Sequence, residues 1–470
     1  MEKNLENLQM AYEAFQAGAE LRRRRLRNKD FTYGRQWGEV VVDQDGNAVT
    51  EGELARRVGR LPMTHNLTRQ LVKSVVGRWR YEQKNTPAEG DNAVDTATAR
   101  LNQLDEMDSR VLEEFLISGC AIQRITCEKR PDGEGVWVDN VSPARFFVNR
   151  FTDPRGRDIE LIGQLHDLSL KEVMMRWGEG DARRMAEIER IYRQCWNSPE
   201  SAPGGTADEP DFYNAPAGRC RVIEVWSLEG MSVNYCHDRE AGRLFMTTAD
   251  EHDRRRLKAL NDRRRREDRA PIDVTTRHSL RWVCRYYAPG GEVLASMLSP
   301  WKHSSHPFAV KMYPLTDGEV HSLVEDVIDQ QRYVNRLVTI VDHVMSFSAK
   351  GVLTFPMEAL PDTFTWEDVR SQWARPDGIV PYNGSYGTKP EQIVAKGDNA
   401  GASELLALEM KMMEQVSGVS SALQGRVPGA ITSADALRTS VENASIALLD
   451  IFESFRSFRE SRNAKIRGCC

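Results

Sequence analysis

The sequence contains no Gly-Lys dipeptide, and this excludes phosphate loops of the G-x-x-x-x-G-K-[ST] type and the motor ATPases built on them. Neither H-E-x-x-H nor G-x-S-x-G occurs, so the familiar zinc-peptidase and serine-hydrolase signatures are missing too. Eight cysteines lie at 120, 127, 195, 220, 236, 284, 469 and 470 with no C-x-x-C spacing, which argues against a zinc ribbon and for reduced thiols. Cys469 and Cys470 read as an exposed tail. No run approaches the ~20 apolar residues that span a bilayer. Met1-Glu2-Lys3-Asn4-Leu5-Glu6 opens no apolar signal region, so synthesis in a cytoplasm is expected. His303 and His306 have a possible ligand spacing, but they precede Pro307 with no cysteine partner, and no metal or cofactor is expected. Glu409-Met410-Lys411 matches the E-x-K of some nucleases only superficially, since it falls in a helical stretch with no acidic partner on a preceding strand. Among the 64 basic residues no motif with aromatics reads as base recognition.

What is present is ordinary in bulk and uneven in detail. The 470 residues suffice for two or three domains, are 40% hydrophobic and 28% charged, and carry a net −5. Residues 320–425 hold 14 acidic and 8 basic side chains, a net of −6, which leaves the remainder near neutral. Leu5, Leu8, Ala11, Phe15 and Ala19 predict an amphipathic helix over 5–27 that ends in the basic run Arg22 to Arg27. That run suits either phosphate contact or a salt-bridge strip. Residues 62–80 read as a loop entering a helix, and a further helix is expected over 103–118, stopping near Gly119, with strands around 121–127, 136–139, 144–148, 221–228 and 281–287. Residues 198–219 read as a loop. A charge-dense helix over 250–269 carries Arg254–Arg256 and Arg263–Arg266 among acids, and its mixed charge reads as a solvated face.

The character changes after residue 319. Apolar positions predict one helix over 320–349, about 45 Å long at 1.5 Å per residue. Five prolines between 351 and 396 break any continuation, so this insertion is expected to hold short strands at Val352–Phe355 and Gly378–Tyr382 and a helix capped by Thr365. Helix resumes over about 403–417. The link Gln424-Gly425-Arg426-Val427-Pro428-Gly429-Ala430 follows, and then a long helix whose apolar residues at 434, 437, 441, 444, 448, 451, 455 and 458 alternate by three and four.

Five elements, in this order, resemble the portal proteins of short-tailed bacteriophages. They are Phe31-Thr32-Tyr33-Gly34-Arg35-Gln36-Trp37 followed by Gly59 to Asn66; the helix Glu113 to Gly119; Val141 to Phe147 running into Thr152-Asp153-Pro154 and Asp158; His306-Pro307-Phe308-Ala309-Val310 leading to Asp329 through Asn335; and Gly418-Val419-Ser420 through Gly425, then Thr432 to Leu437. The resemblance covers residues 30–455.

It implies an α+β, mainly helical portal-type fold. A wing (1–319) would be followed by a stem helix (320–349), a clip (350–396), a second stem helix (397–424), a tunnel loop (425–431) and a long helix with a short crown end (432–470). Such proteins form rings, usually of twelve subunits, at one capsid vertex of the virion. They pass double-stranded DNA and meet the major capsid protein, a terminase and later a tail adaptor. By resemblance Arg426, Val427, Pro428 and Gly429 would face DNA. Phe364, Trp366, Trp373, Tyr382 and Tyr386 would face terminase and adaptor. An acidic lining suits a conduit, because a tunnel that neutralised every phosphate would hold the polymer still; the same acids facing solvent would explain the charge equally. Two other classes stay open. An adaptor is disfavoured by the helix–insertion–helix pattern, and a nuclease would be revealed by metal-dependent cleavage of DNA.

Overall fold

The computed structural model describes residues 2–85, 94–130, 133–197, 205–206, 208–249, 251–348, 352–375, 378–387, 389–393, 400–419, 423 and 446–469. The fold is mixed, 47% helical and 24% strand. Its contacts divide the chain into two compact units: Met1–Lys29 with Val72–Glu325 and Ala422–Cys470, and Asp30–Leu71 with Asp326–Ser421. Residues 30–71 therefore group with both candidate stem helices rather than with the rest of 1–319.

The larger unit is built on an antiparallel sheet ordered Val293–Leu298, Asp273–Tyr287, Cys220–Asp238, Leu161–Leu168, Phe146–Val148, with Arg243–Thr248 added beside the far half of Cys220–Asp238. Alternation explains one buried face: Ile223, Val225, Leu161, Leu165, Phe147 and Tyr287 pack on Leu8, Ala11 and Phe15 of the helix Glu2–Ala17 and on Phe212. Gly163 sits mid-strand because a Cβ there would meet the Glu224 carbonyl oxygen at 2.1 Å and the Phe147 ring at 2.3 Å. The helix expected over 5–27 is two, Glu2–Ala17 and Ala19–Thr32, parted at Gly18. Much of the basic run that follows is used internally. Arg22 lies over the Phe15 ring, Arg24 donates to the Val320 carbonyl, and the buried Arg25 donates to Glu114 at 2.7 Å.

A second, three-stranded sheet (Phe308–Met312, Cys120–Arg130, Gly133–Asn140) packs with the helices Leu104–Ser118 and Leu449–Cys469. The first of these stops at Gly119, which supplies the left-handed residue, φ 72°, that closes it. The second buries Ile451, Phe455, Phe458, Arg462, Ile466 and Cys469, so the spacing of three and four read from the sequence runs on to the end of the helix, with a charged residue in the stripe. Phe455 lies edge-on to Trp79 at 5.4 Å and near Phe115 at 6.0 Å. Cys469 is buried, not part of an exposed tail. Helix continues past Gly468, whose carbonyl accepts from Lys302 and whose missing side chain leaves room for the His303 ring.

The helix expected over 320–349 begins only at Ile328, preceded by the strand Glu319–Val320 and a turn at Glu325–Val327. Leu323, Val324 and Val327 are apolar because they are buried, not because they extend the helix; Val324 donates to the Leu116 carbonyl. Its 21 residues make a helix of about 32 Å, shorter than the spacing suggested. Strands and helices that the sequence reading passed over include Val293–Leu298, Phe308–Met312, Leu170–Trp177 and Ala182–Asn197.

Candidate functional site

In the smaller unit the helices Ile328–Ser348 and Ala400–Ser417 pack on each other. The first carries a polar stripe at Gln331, Asn335 and Thr339, spacing i, i+4, i+8, and all three are buried. Buried amides must find partners, and these find the backbone that leads into the helix Leu67–Asn85. Gln331 Oε1 accepts from the backbone N–H of Leu67 (2.9 Å) and Thr68 (3.0 Å), while its Nε2 donates to the His65 carbonyl (2.8 Å) and to Asn335 Oδ1 (3.1 Å). Asn335 Oδ1 accepts from His65 N–H at 3.0 Å, and Thr339 Oγ1 from Met63 N–H at 3.1 Å. Asn335 Nδ2 donates in turn to Gln36, which donates to the Phe31 carbonyl and to Asn66 Oδ1. Three of the segments that carried the resemblance, Phe31–Trp37, Gly59–Asn66 and Asp329–Asn335, thus converge on one buried amide network.

Beside it, Arg332 and Arg336 both donate to Glu51, and Arg332 also lies 3.2 Å from Glu39. Burial works against the Arg332 charge, but the hydrogen bond to Glu51 and the two carboxylates outweigh it and hold the guanidinium above the usual arginine range. Glu51 is placed by a short helix, Glu51–Arg57, whose capping box joins Thr50 and Glu53. The long helix is therefore clamped along one side by backbone hydrogen bonds and along another by a shared carboxylate.

Between the two long helices, the strands Val352–Thr354 and Glu391–Ile393 pair antiparallel and close the base of the insertion. Glu391–Ile393 takes the place of the strand expected at Gly378–Tyr382, where Pro381 lacks the N–H a ladder needs. The helix Trp366–Ala374 starts where predicted, with a Thr365–Asp368 capping box. The Thr365 hydrogen bonds hold the Asp368 carboxyl below its ordinary range. Phe355 meets Trp366 edge-on at 5.8 Å, Ala359 and Val369 are buried, and Asn383 N–H donates to the Ala359 carbonyl. Trp366 and Tyr382 present exposed rings, 46% and 43% accessible, while Phe364 and Trp373 are half-buried. Tyr386 belongs to the 3-10 turn Gly384–Tyr386. Arg426, Val427, Pro428 and Gly429 lie outside the described residues.

The histidine pair is spoken for. His303 Nδ1 accepts from Ser305 N–H and His306 Nδ1 from Phe308 N–H. Burial and the nearby Lys465 bring His303 down to about 4, and burial pulls Lys465 itself down to about 8. Imidazoles beside an ammonium group are poor cation ligands, and among the described residues no group of His, Cys, Asp and Glu is arranged to hold a metal. Glu409 and Lys411 lie in the helix Ala400–Ser417, as the sequence indicated. No helix among the described residues is long and apolar enough to cross a membrane.

The amide network is what the sequence reading missed as a site. Its signal was present as the polar spacing 331, 335, 339 inside an otherwise apolar helix. What the arrangement offers is a braced helix pair and an insertion with exposed aromatic rings. No curated protein matches the chain. A family model does, that of the phage P22-like portal proteins, over residues 8–466. With nearly all of its length matched, the chain belongs to the phage P22-like portal protein family, structural proteins that serve phage DNA packaging and are not enzymes.

Proposed function

We propose that the chain assembles into a closed ring of twelve subunits at one capsid vertex, and that duplex DNA enters and leaves the head through its centre. The helices Ile328–Ser348 and Ala400–Ser417 are the stem in this reading. Residues 350–396 are the clip, which meets terminase during packaging and a tail adaptor afterwards. Residues 425–431 are a loop reaching toward the channel, and 432–470 the long helix and short crown end. The larger unit, with its two antiparallel sheets, forms the wing that meets the major capsid protein. Synthesis takes place in the host cytoplasm and the ring ends in the virion.

The observation that carries this reading is the helix–insertion–helix arrangement. Two helices pack on each other, and the segment between them folds around a few buried residues of its own, Ala359 and Val369 with the Phe355–Trp366 pair. An insertion that depends little on its carrier helices can present Trp366 and Tyr382 to changing partners. The net −6 of residues 320–425 suits a path along which DNA slides. Negative-stain imaging of the purified protein tests it. A ring with a central hole is expected, and a compact monomer at all concentrations and salts would refute it.

A further inference from the structure

The far halves of Cys220–Asp238 and Asp273–Tyr287, with Arg243–Thr248, form a three-stranded extension of the main sheet that carries the helix Glu251–Arg266. The extension has its own small core, Cys236, Leu257 and Ile272 with Phe245 against it. Three positions spaced i, i+4, i+7 anchor the helix: Leu257 is buried, Asn261 exchanges two hydrogen bonds with the Ile272 backbone (2.8 and 3.0 Å), and Arg264 pairs with Asp238. Arg254–Arg256, Lys258, Arg263, Arg265 and Arg266 all point to water.

The charge is concentrated here. Residues 239–281 hold thirteen basic and eight acidic side chains, a net of +5, in a chain of net −5. Several of these acids are consumed locally, by Arg255 with Glu251, Arg263 with Glu267, Arg269 with Glu240 and, more loosely at 3.8 Å, Arg265 with Asp262, while Arg264 pairs with Asp238 just outside the span. Among the described residues no carboxylate pairs with Arg254, Arg256, Lys258 or Arg266. A solvated helix needs no such excess, and its C-terminal arginines alone would satisfy the helix dipole. Arg254, Lys258 and Arg265 fall on one line along the helix, spanning about 16 Å, flanking the anchored face. Such a row of exposed cations matches the spaced phosphates of a nucleic-acid backbone and carries no means of reading bases.

We propose that the Glu251–Arg266 helix binds the sugar-phosphate backbone of duplex DNA, without sequence preference. The choice of duplex DNA over another polyanion rests on the portal reading, since that is the polymer the family packages. The contact is salt-labile, and it retains DNA on the larger unit where the acidic stem segment would release it.

The test uses the full-length protein and a random-sequence DNA duplex, with affinity measured across a salt series. In Arg254→Gln/Lys258→Gln/Arg265→Gln the slope of log K against log salt should fall by about 2.7, three contacts at about 0.9 each, with at least a tenfold loss of affinity at low salt. Arg254→Lys/Arg265→Lys should keep the parent slope, because phosphate contact needs the charge and not the fork. Three exposed arginines elsewhere, changed together as Arg155→Gln/Arg183→Gln/Arg193→Gln, should also leave it unchanged. An unaltered slope in the first variant overturns the proposal. So does unaltered DNA binding combined with lost incorporation into heads, which would assign the helix to an acidic protein partner. Ring formation is scored on the same preparations, so that absence of rings, which refutes the portal reading, is distinguished from an unchanged slope, which refutes this one.

Discussion

Arg462 donates to the carboxylate of Asp108, 354 residues earlier in the chain, and both side chains are almost wholly out of water. Arg459 Nε reaches the other carboxylate oxygen at 3.0 Å. A single buried acid thus ties the helix Leu449–Cys469 to the helix Leu104–Ser118. Asp108→Ala leaves two guanidinium groups without that partner, and it should lower unfolding free energy by about 3–5 kcal/mol in urea titrations. Adding Arg462→Met should return part of the loss. A single-variant loss under about 1 kcal/mol would mean that the tie is dispensable.

Gln331→Ala should remove acceptors from two backbone N–H groups and a donor from the His65 carbonyl at once. Each buried group left unpaired costs about 1–3 kcal/mol, so the variant should lose at least about 2 kcal/mol. Amide hydrogen exchange should quicken at Leu67 and Thr68 before it changes in the larger unit. Uniform acceleration everywhere would contradict a local role for the network.

Glu224 is fully buried yet accepts from Arg124 (3.2 Å), His166 (2.7 Å) and Trp226 (2.8 Å). Burial alone pushes its carboxyl up; Arg124 first, then His166 and Trp226, overcome this and bring it to about 2. Its folded value therefore lies below the unfolded value of about 4.3, so the stabilisation is complete above that pH and is lost as pH falls toward 2. The amount is on the order of 3 kcal/mol. Glu224→Gln should flatten the stability profile between about pH 4.5 and 2, and a profile that keeps its slope there would show that other carboxylates set it.

Trp366→Ala and Tyr382→Ala remove exposed rings from the insertion and should leave ring yield unchanged. Binding of terminase, or of the tail adaptor, should weaken at least tenfold in one or both, the loss expected when an aromatic anchor is truncated. Undiminished binding of both partners, measured by titration calorimetry, would place the docking surface elsewhere.

If residues 425–431 are the channel loop of the proposed reading, Arg426→Ala and Pro428→Gly should impair DNA packaging or retention with ring assembly intact, since changes at exposed sites cost roughly 0.5 kcal/mol or less. Packaged DNA length per particle is the measurement. Normal lengths in both variants would reduce the loop to a connector, and a collapse of ring yield would make it a subunit contact.

Local chemistry was readable where one segment carried the whole instruction. Thr365 with Asp368, and Gly119, acted where they stood. Pairing at a distance was not readable. Gln331 and Asn335 look like exposed helix positions until the backbone of residues 63–68 is laid beside them. The overlong helix at 320–349 had the converse cause: Leu323, Val324 and Val327 satisfy helical spacing by accident while serving tertiary burial. The strands Cys220–Asp238 and Asp273–Tyr287 were recognised only in their apolar halves, because their outer halves form the charged extension, where alternation is weak.

The Asp108–Arg462 tie also sets a clock. At about 5–20 residues per second, a ribosome needs roughly 20–70 s to travel from one partner to the other. For most of that interval Trp79 and Phe115 have been made, while Phe455, against which they pack, has not. The nascent body must wait with part of its core uncovered, a period in which holding chaperones can bind. A translation product that stops short of Leu449 lacks the helix that completes this core, so it cannot bury Trp79 and Phe115 as the full chain does.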